Sequence, residues 1–431
     1  MSSSQAIAAS PQRATVNTEF GDTNTISSVE RDRPRPGTIE SLRSTFPTEP
    51  EYARILDLKL ASRNGGEEVH DADLPAIKAR LSQFISNKLD GDFTIDRVRW
   101  LSGGGSKMQV AFDLDVAPNT TLPAGRHRLV LRLEPLESLN ATSRLREAQI
   151  INAIRGVVPV PRVYWVEDSE DAFGRAALIY SFIDGVTKPR GTTSNVGGVG
   201  GHFSGALQRR LSDQFVESIA RIHSFDIDSC AETLDAFTRP PTGSPESALW
   251  QVNRARRIWE EDRRADLPFM EVAANWLIDN APALDQVSVI HGDYRTGNFL
   301  FDEESGDVTA WLDWERSYFG DRHRDLAWIT LRQWGQRASD GELIVSGLIS
   351  ESEFFERYSE MSGLTVDPIR LHYYRVLNLY QLVVSSLGTA YRVSYLGRSH
   401  QDVLLTWIEG LAHTFARDLI NELSHDGTIL R

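Results

Sequence analysis

The sequence predicts an α+β chain of two lobes, a small lobe built on an antiparallel sheet and a larger, mainly helical one. Three observations predict it. Between residues 93 and 182 the apolar residues fall in short, β-branched runs bounded by turn residues, which is strand patterning. Beyond residue 205 they recur every three or four positions, the period of amphipathic helices. One later group of short strands, within 287–312, interrupts that helical region and carries closely spaced His, Asp and Asn side chains.

Residues 1 to about 48 are rich in Ser, Thr, Asn, Pro and Arg, with few apolar side chains and no period. Such a composition buries too little surface to offset its ordering entropy, so a disordered or loosely attached extension is expected, running to about residue 70. The small lobe is expected over 71–184. A helix at 74–89 sets Leu74, Ile77, Leu81, Phe84 and Ile85 on one face. Strands follow at 93–101, 107–116 and 126–133, then a helix at 138–154 and strands at 162–167 and 176–182. The segment 185–205 is glycine-rich and reads as a surface loop or substrate lid. The large lobe, 185–431, should hold helices at 206–223, 248–264, 268–280, 324–336, 351–361, 370–395 and 401–423.

Composition excludes several classes of function. The 431 residues carry a formal net charge of −14, which argues against nucleic acid as a partner. No stretch approaches the ~20 apolar residues that span a bilayer; the nearest, 376–387, is interrupted by Asn378, Gln381 and two serines. The single cysteine, Cys230, allows no internal disulfide, and the first residues lack a secretory signal, so a cytoplasmic protein is expected.

The chemistry is concentrated in His291-Gly292-Asp293-Tyr294-Arg295-Thr296-Gly297-Asn298, followed by Asp313-Trp314-Glu315. The run 287–290 before it is a buried strand, and 299–301 with 308–312 reads as a hairpin. This spacing suits metal-assisted phosphoryl transfer: Asp293, beside His291, orients a substrate hydroxyl, while Asn298 and Asp313 reach an Mg²⁺ ion. Asp302, Glu303, Glu304 and Asp307 lie inside a charged turn and are expected to be solvated. Asp325, opening a helix, either bonds the catalytic-loop backbone or simply satisfies its own helix N-terminus. His223, Trp314 and Trp328 are expected to pack in the core.

In the first lobe, Ser102-Gly103-Gly104-Gly105-Ser106 lies between two expected strands. Consecutive glycines let backbone N–H groups approach a phosphate closely. A cation on a following strand would complete a nucleotide site, and Arg132 is the best placed. Flanked by apolar residues it needs a carboxylate partner, which Glu147 on the next helix can supply. Lys107 is a second candidate, expected to be exposed beside the loop. Glu260, Glu261 and Asp262 read as a solvated helix face.

These residues resemble the aminoglycoside phosphotransferase and choline kinase-like family, a branch of the protein-kinase-like fold. The resemblance spans about 93–423 and is most specific at His291 through Asn298, Asp313-Trp314-Glu315 and Gly320-Asp321. It implies that Asp293 is the catalytic base and that Asn298 and Asp313 bind Mg²⁺. It also implies that ATP is the donor, with Ser181, Phe182 and Ile183 at the adenine-binding hinge. Leu131-Arg132-Leu133 with Asp313-Trp314-Glu315 resembles the subgroup also found fused to acyl-CoA dehydrogenases, which implies hydroxyacyl acceptors. Arg132 stands where many relatives carry lysine, and the long 185–205 segment also departs from the pattern. The expected function is therefore ATP-dependent transfer to a small-molecule hydroxyl acceptor, aminoglycoside-, choline- or hydroxyacyl-like. A catalytically weak nucleotide-binding scaffold is the alternative. A metal-dependent hydrolase on His291 and Asp293 lacks ligands, since His323 is the nearest other histidine. No local motif names the acceptor or the oligomeric state.

Overall fold

The computed structural model describes residues 26–65, 73–101, 107–118, 121–135, 138–190, 203, 205–396 and 402–425. Three helices come first: α1 (Ser28–Asp32), α2 (Pro36–Thr45) and α3 (Pro50–Ala61). Over 26–65 the expectation of a loose extension is therefore corrected. The apolar residues are few, but Tyr52, Ile55, Leu56 and Leu60 recur at helical spacing and are all buried. Charge pairs with residues far along the chain complete the docking, and these leave no local pattern.

Helix α4 (Leu74–Ser86) starts where Asp73 caps it, accepting from the Ala76 N–H at 2.8 Å. Strands β1 (Phe93–Trp100), β2 (Met108–Val116) and β3 (Gly125–Leu133) follow, then helix α5 (Arg144–Ala153) and strands β4 (Val163–Glu167) and β5 (Ala177–Ser181). The five strands form one antiparallel sheet in the order β1-β2-β3-β5-β4. Because successive side chains alternate faces, Leu129, Leu131 and Leu133 pack under α4 with Ile77, Leu81 and Phe84. Val130 and Arg132 face the other way, where Val130 joins the core shared with the helical lobe. Helix α5 begins six residues later than expected. Ser143 caps it, and the turn 138–143 is used to enclose Lys107 instead.

The helical lobe begins with α6 (Gly205–His223), α7 (Glu246–Asp262) and α8 (Pro268–Asp279). Strand β6 (Ser288–Ile290) leads into the loop 291–298, and β7 (Phe299–Phe301) pairs with β8 (Val308–Trp311) as the expected hairpin. Strand β9 (Tyr318–Gly320) returns beside β6. Helix α9 (His323–Ile329) stops seven residues short of its expected end. A small sheet of β10 (Gln336–Arg337), β11 (Leu343–Val345) and β12 (Ile349–Ser350) takes over. Strands of two or three residues are too short to show alternation in sequence. Helices α10 (Glu351–Ser362) and α11 (Pro368–Val383) follow; α11 widens into a π-helical turn at Val384–Ala390 before α12 (Tyr391–Leu396). The last expected helix is two, α13 (Asp402–Gly410) and α14 (Ala412–His425). Among the described residues no helix is long and apolar enough to cross a membrane.

Glu261 and Asp262, expected on a solvated face, are fully buried. Asp262 takes Arg63 at 2.5 Å and Lys59 at 3.4 Å, and Thr389 donates to it at 2.5 Å. Burial would raise its carboxyl, but Lys59, Arg63 and Arg392 together hold it well below the usual range. Asp57 on α3 pairs in turn with Arg257 on α7 at 2.7 Å. Asp262→Ala would leave Arg63 buried without its carboxylate, at a cost of about 3–5 kcal/mol. We expect faster proteolysis within 26–65 and a lower melting temperature; unchanged protection would show that the apolar contacts alone hold these helices.

Candidate functional site

The loop 291–298 is clipped to the hairpin at one residue. The Leu312 N–H donates to the Asn298 carbonyl at 2.8 Å, and the Leu312 carbonyl accepts from His291 Nε2 at 3.1 Å. Since a carbonyl only accepts, Nε2 carries the proton and Nδ1 accepts from the Asp293 N–H at 3.2 Å. The ring is fully buried, 4.4 Å from Trp314. Both ring nitrogens of His291, grouped above with the catalytic residues, are spent on backbone groups. Gly292 beside it has φ +82°, and a Cβ there would stand 2.8 Å from the Arg316 carbonyl, so glycine is required.

Asp325 supports the loop from below. It accepts from the backbone N–H of His291 at 2.7 Å and of Gly292 at 2.8 Å, with His223 Nε2 at 3.3 Å. The first of the two readings of Asp325 therefore holds, and His223 is a buried structural residue, bonded also to the Tyr358 hydroxyl at 2.9 Å. Burial lowers both His291 and His223. Asp325 is pushed up by burial, yet its bonds to His223 and to the loop hold it below the carboxylate range. A histidine depressed in the fold stays neutral while the unfolded chain takes up a proton. Its stabilising contribution is therefore complete above about pH 6.5 and is lost as pH falls, by up to about 1.4 kcal/mol per pH unit per histidine. Urea midpoints measured from about pH 8 to about pH 5.5 should fall below about 6.5; a flat profile would contradict the neutral assignment.

Asp293 is held by three donors. Trp328 Nε1 reaches Oδ1 at 3.0 Å, Arg295 Nε reaches the same oxygen at 3.1 Å, and Asn298 Nδ2 reaches Oδ2 at 2.7 Å. A carboxylate offers about four lone-pair sites, so one remains for an incoming hydroxyl. Asn298 spends its amide nitrogen on Asp293, leaving its amide oxygen as the group that can meet a cation. Trp328 is buried as expected, but its indole N–H serves the site, a role the sequence does not announce.

Asp313 ends the hairpin with φ +65°, an unusual conformation for a residue with a side chain. Its carboxylate bonds Arg132, which reaches across from β3. Arg132 also pairs with Glu147 at 3.4 Å, as the sequence suggested, and with Glu315 at 2.8 Å, which it did not. Lys107, expected to be exposed, is buried: Nζ meets Glu134 and Ser138 at 2.8 Å and Glu315 at 3.4 Å. Arg144 joins the cluster, pairing with Glu147 and with Glu315 at 3.4 Å. Burial alone would lower Arg132, but Glu147, Asp313 and Glu315 more than offset it and keep it protonated. Burial likewise would raise Glu315, which Lys107, Arg132 and Arg144 hold far below its ordinary value. Three cations thus face four carboxylates; Glu147 and Glu315 are buried, while Glu134 and Asp313 are part-exposed, Asp313 beside the Leu312 junction with the 291–298 loop.

Ser102, Gly103, Gly104, Gly105 and Ser106 lie outside the described residues, as does most of the 185–205 segment. On the sheet face shared with Arg132, a cavity of about 340 Å³ is lined by Arg97, Arg99, Ala111, Asp113, Arg128 and Phe182. Ser181 ends β5 with its N–H donated to the Arg162 carbonyl and its Oγ accepting from the Arg162 N–H. Phe182 rather than Ser181 therefore lines the cavity, with half-buried Ile183 following it. Asp321 accepts from His323 and Arg370 and braces α9 against α11.

Residues 120–357 match the sequence profile of the phosphotransferase enzyme family. Among curated proteins, the chain is 25% identical over 283 residues to acyl-CoA dehydrogenase family member 10 of Mus musculus, covering 63% of this chain and 25% of that protein. It is 29% identical over 219 residues to acyl-CoA dehydrogenase family member 11 of Gallus gallus, covering 49% and 26%. The matched region thus spans about a quarter of the length of those relatives. Among solved structures, a Ralstonia eutropha JMP134 protein provisionally named an aminoglycoside phosphotransferase superposes with a TM-score of 0.56 at 20% identity, over 80% of this chain and 98% of that one. The α+β, protein-kinase-like two-lobe fold is the one the sequence predicts.

Proposed function

The chain belongs to the phosphotransferase enzyme family, and from that premise we propose that it moves the terminal phosphoryl group of ATP, with Mg²⁺, to a hydroxyl of a small molecule. The observation that carries this reading is the junction at Leu312, which brings Asp293, Asn298 and Asp313 to one end of the hairpin. An Mg²⁺ ion takes one or two carboxylates beside phosphate oxygens and water. Part-exposed Asp313 and the Asn298 amide oxygen are a donor set of that kind. When bound, the ion neutralises charge on the transferring phosphoryl group.

Asp293 orients the acceptor hydroxyl through its remaining lone pair and receives the proton as the new P–O bond forms and the bond to the ADP oxygen breaks. Arg132, locked by Glu147 and Glu315, directs positive charge at the Asp313 side of the cleft. The cavity beside Phe182 is the place this reading assigns to the nucleobase. A scaffold that binds nucleotide without transfer is the competing reading, and what favours it is the commitment of Arg132 to three carboxylates. Incubation with Mg²⁺-ATP and a panel of small alcohols separates the two. Acceptor-dependent ADP release is expected; ATP bound but never consumed across the panel favours the scaffold.

A further inference from the structure

Helix α3 reaches both lobes. Tyr52 in it and Glu49 just before it engage α5, the helix that carries Glu147, while Asp57 and Arg63 engage α7 in the large lobe. Arg146, the residue before Glu147, is 3% exposed. Its Nη1 donates to Glu49 Oε1 at 2.5 Å and to the Ala236 carbonyl at 3.0 Å, and its Nη2 to the Ser317 carbonyl at 3.1 Å. The guanidinium also lies against two rings, 4.5 Å from that of Tyr52 and 4.0 Å from that of Phe237. Glu49 is buried too, and the same oxygen accepts from the Thr238 N–H at 2.8 Å. A planar guanidinium with three fixed acceptors and two rings against it is locked in one orientation.

The Ser317 carbonyl is where the elements converge. It accepts from Arg146 on α5 and from the Tyr52 hydroxyl on α3, the latter at 3.3 Å and shared with the Arg316 carbonyl at 3.4 Å. Those two residues follow Glu315, the carboxylate that Lys107, Arg132 and Arg144 share. The Arg316 carbonyl also backs onto Gly292, where a Cβ would stand 2.8 Å from it. The Tyr52 ring packs with Ile290 on β6 and Tyr318 on β9, the strand pair from which the loop 291–298 departs.

Glu147 pairs with Arg132, and Arg132 with Asp313, so a shift of α5 is felt at Asp313. A ten-residue helix moves as a unit, and a tether on Arg146 is therefore a tether on Glu147. We propose that Glu49, Tyr52 and Arg146 are positioning residues: α3 clamps α5 onto the 315–318 segment and thereby holds Glu147 and Arg132 in register with Asp313. The clamp is distinct from the docking at Asp262, which holds this segment to α7 and does not touch α5. Its consequence rests on the phosphotransferase reading, while the contact itself is testable without turnover.

The test uses three variants of the full chain, each measured at a temperature where it is folded. Glu49→Gln and Tyr52→Phe loosen the α5 side of the clamp with little change of shape. Asp57→Asn loosens α3 on α7, where Arg257 keeps Glu261 at 2.7 Å, and is the control. Amide hydrogen exchange across 144–153 and 313–317 should quicken by about tenfold in Glu49→Gln, by less in Tyr52→Phe, and not in Asp57→Asn. The Kd for Mg²⁺-ATP should rise in the same order. With an acceptor that supports turnover, kcat/KM for ATP should fall by about ten- to hundredfold in Glu49→Gln, with KM for the acceptor unchanged. Asp57→Asn should change the melting temperature alone.

Unchanged exchange across α5 in Glu49→Gln overturns the clamp. So does an equal response from Asp57→Asn, which would mark a general loss of stability. Faster exchange beside undiminished nucleotide affinity and kcat/KM would show a structural contact only, and overturns the positioning role. If Glu49→Gln loosens α5 and weakens Mg²⁺-ATP binding while the wild type consumes no ATP with any acceptor, the clamp stands and the transfer reading fails.

Discussion

Asp293→Asn lowers kcat by about two to four orders of magnitude while Mg²⁺-ATP still binds. The asparagine keeps the size of the side chain and one oxygen for Trp328 and Arg295; its amide nitrogen then faces Asn298, whose amide rotates to present its oxygen. What disappears is the anionic oxygen that aligns the acceptor O–H and takes its proton. Because the transition state for phosphoryl transfer is loose, most of the loss is in orientation and late proton removal. In the proposed site, Arg132 and Asp313 on the other side of the cleft are untouched by this substitution, and Asn298 keeps its bond to the residue 293 carbonyl. Steady-state turnover with the best acceptor, beside calorimetric nucleotide binding, separates the two effects. An unchanged kcat would remove Asp293 from the mechanism; lost nucleotide binding would show that the variant has disrupted the loop.

Glu315→Ala is expected to cost about 3–5 kcal/mol of stability and to weaken Mg²⁺-ATP binding as well. Glu315 is the carboxylate shared by Lys107, Arg132 and Arg144, and all four side chains are buried. Without it, Arg132 keeps Glu147 but must lean more heavily on Asp313, the carboxylate an incoming cation needs. The fall in melting temperature and the rise in the nucleotide Kd should therefore occur together. Glu315→Gln preserves the shape and some hydrogen bonding, and should show the same two effects in smaller measure. A destabilised variant with undiminished nucleotide affinity would mean that Arg132 and Asp313 are not coupled through this cluster.

The parts of the site legible in the sequence are those whose geometry is local. His291 to Asn298, the hairpin 299–301 with 308–311, and Asp313 lie within two dozen residues, so their spacing nearly determines how they meet. The Arg132–Glu147 pair was readable because a charge amid apolar strand residues demands a partner. Lys107 was misread for the complementary reason: its burial depends on Glu134, Ser138 and Glu315, and only the fold brings these together. The bond from Trp328 to Asp293 gave no signal, since a tryptophan near apolar strands packs in most proteins.

The fold follows the same division. The five-stranded sheet and most helices were placed within a few residues, because their apolar runs or helical period persist over five or more positions. Strands β9 to β12 are too short to carry a period. The π-helical turn at Val384–Ala390 is written only in Ser385, Ser386 and Gly388, residues that weaken a helix without announcing where it widens. Helix α3 is held at its two ends by Glu49 with Arg146 and Arg63 with Asp262, pairs 97 and 199 residues apart. Composition registers those residues as charged, and therefore as loose.

The central claim is that Asp313 and Asn298 complete a metal-dependent nucleotide site opposite Asp293. Calorimetric titration of ATP into the wild type and Asp313→Ala, each with Mg²⁺ and with EDTA, tests it most directly. The account predicts binding by the wild type that requires Mg²⁺ and is lost in Asp313→Ala. Binding that is indifferent to both the metal and Asp313, or no binding by the wild type, would contradict it.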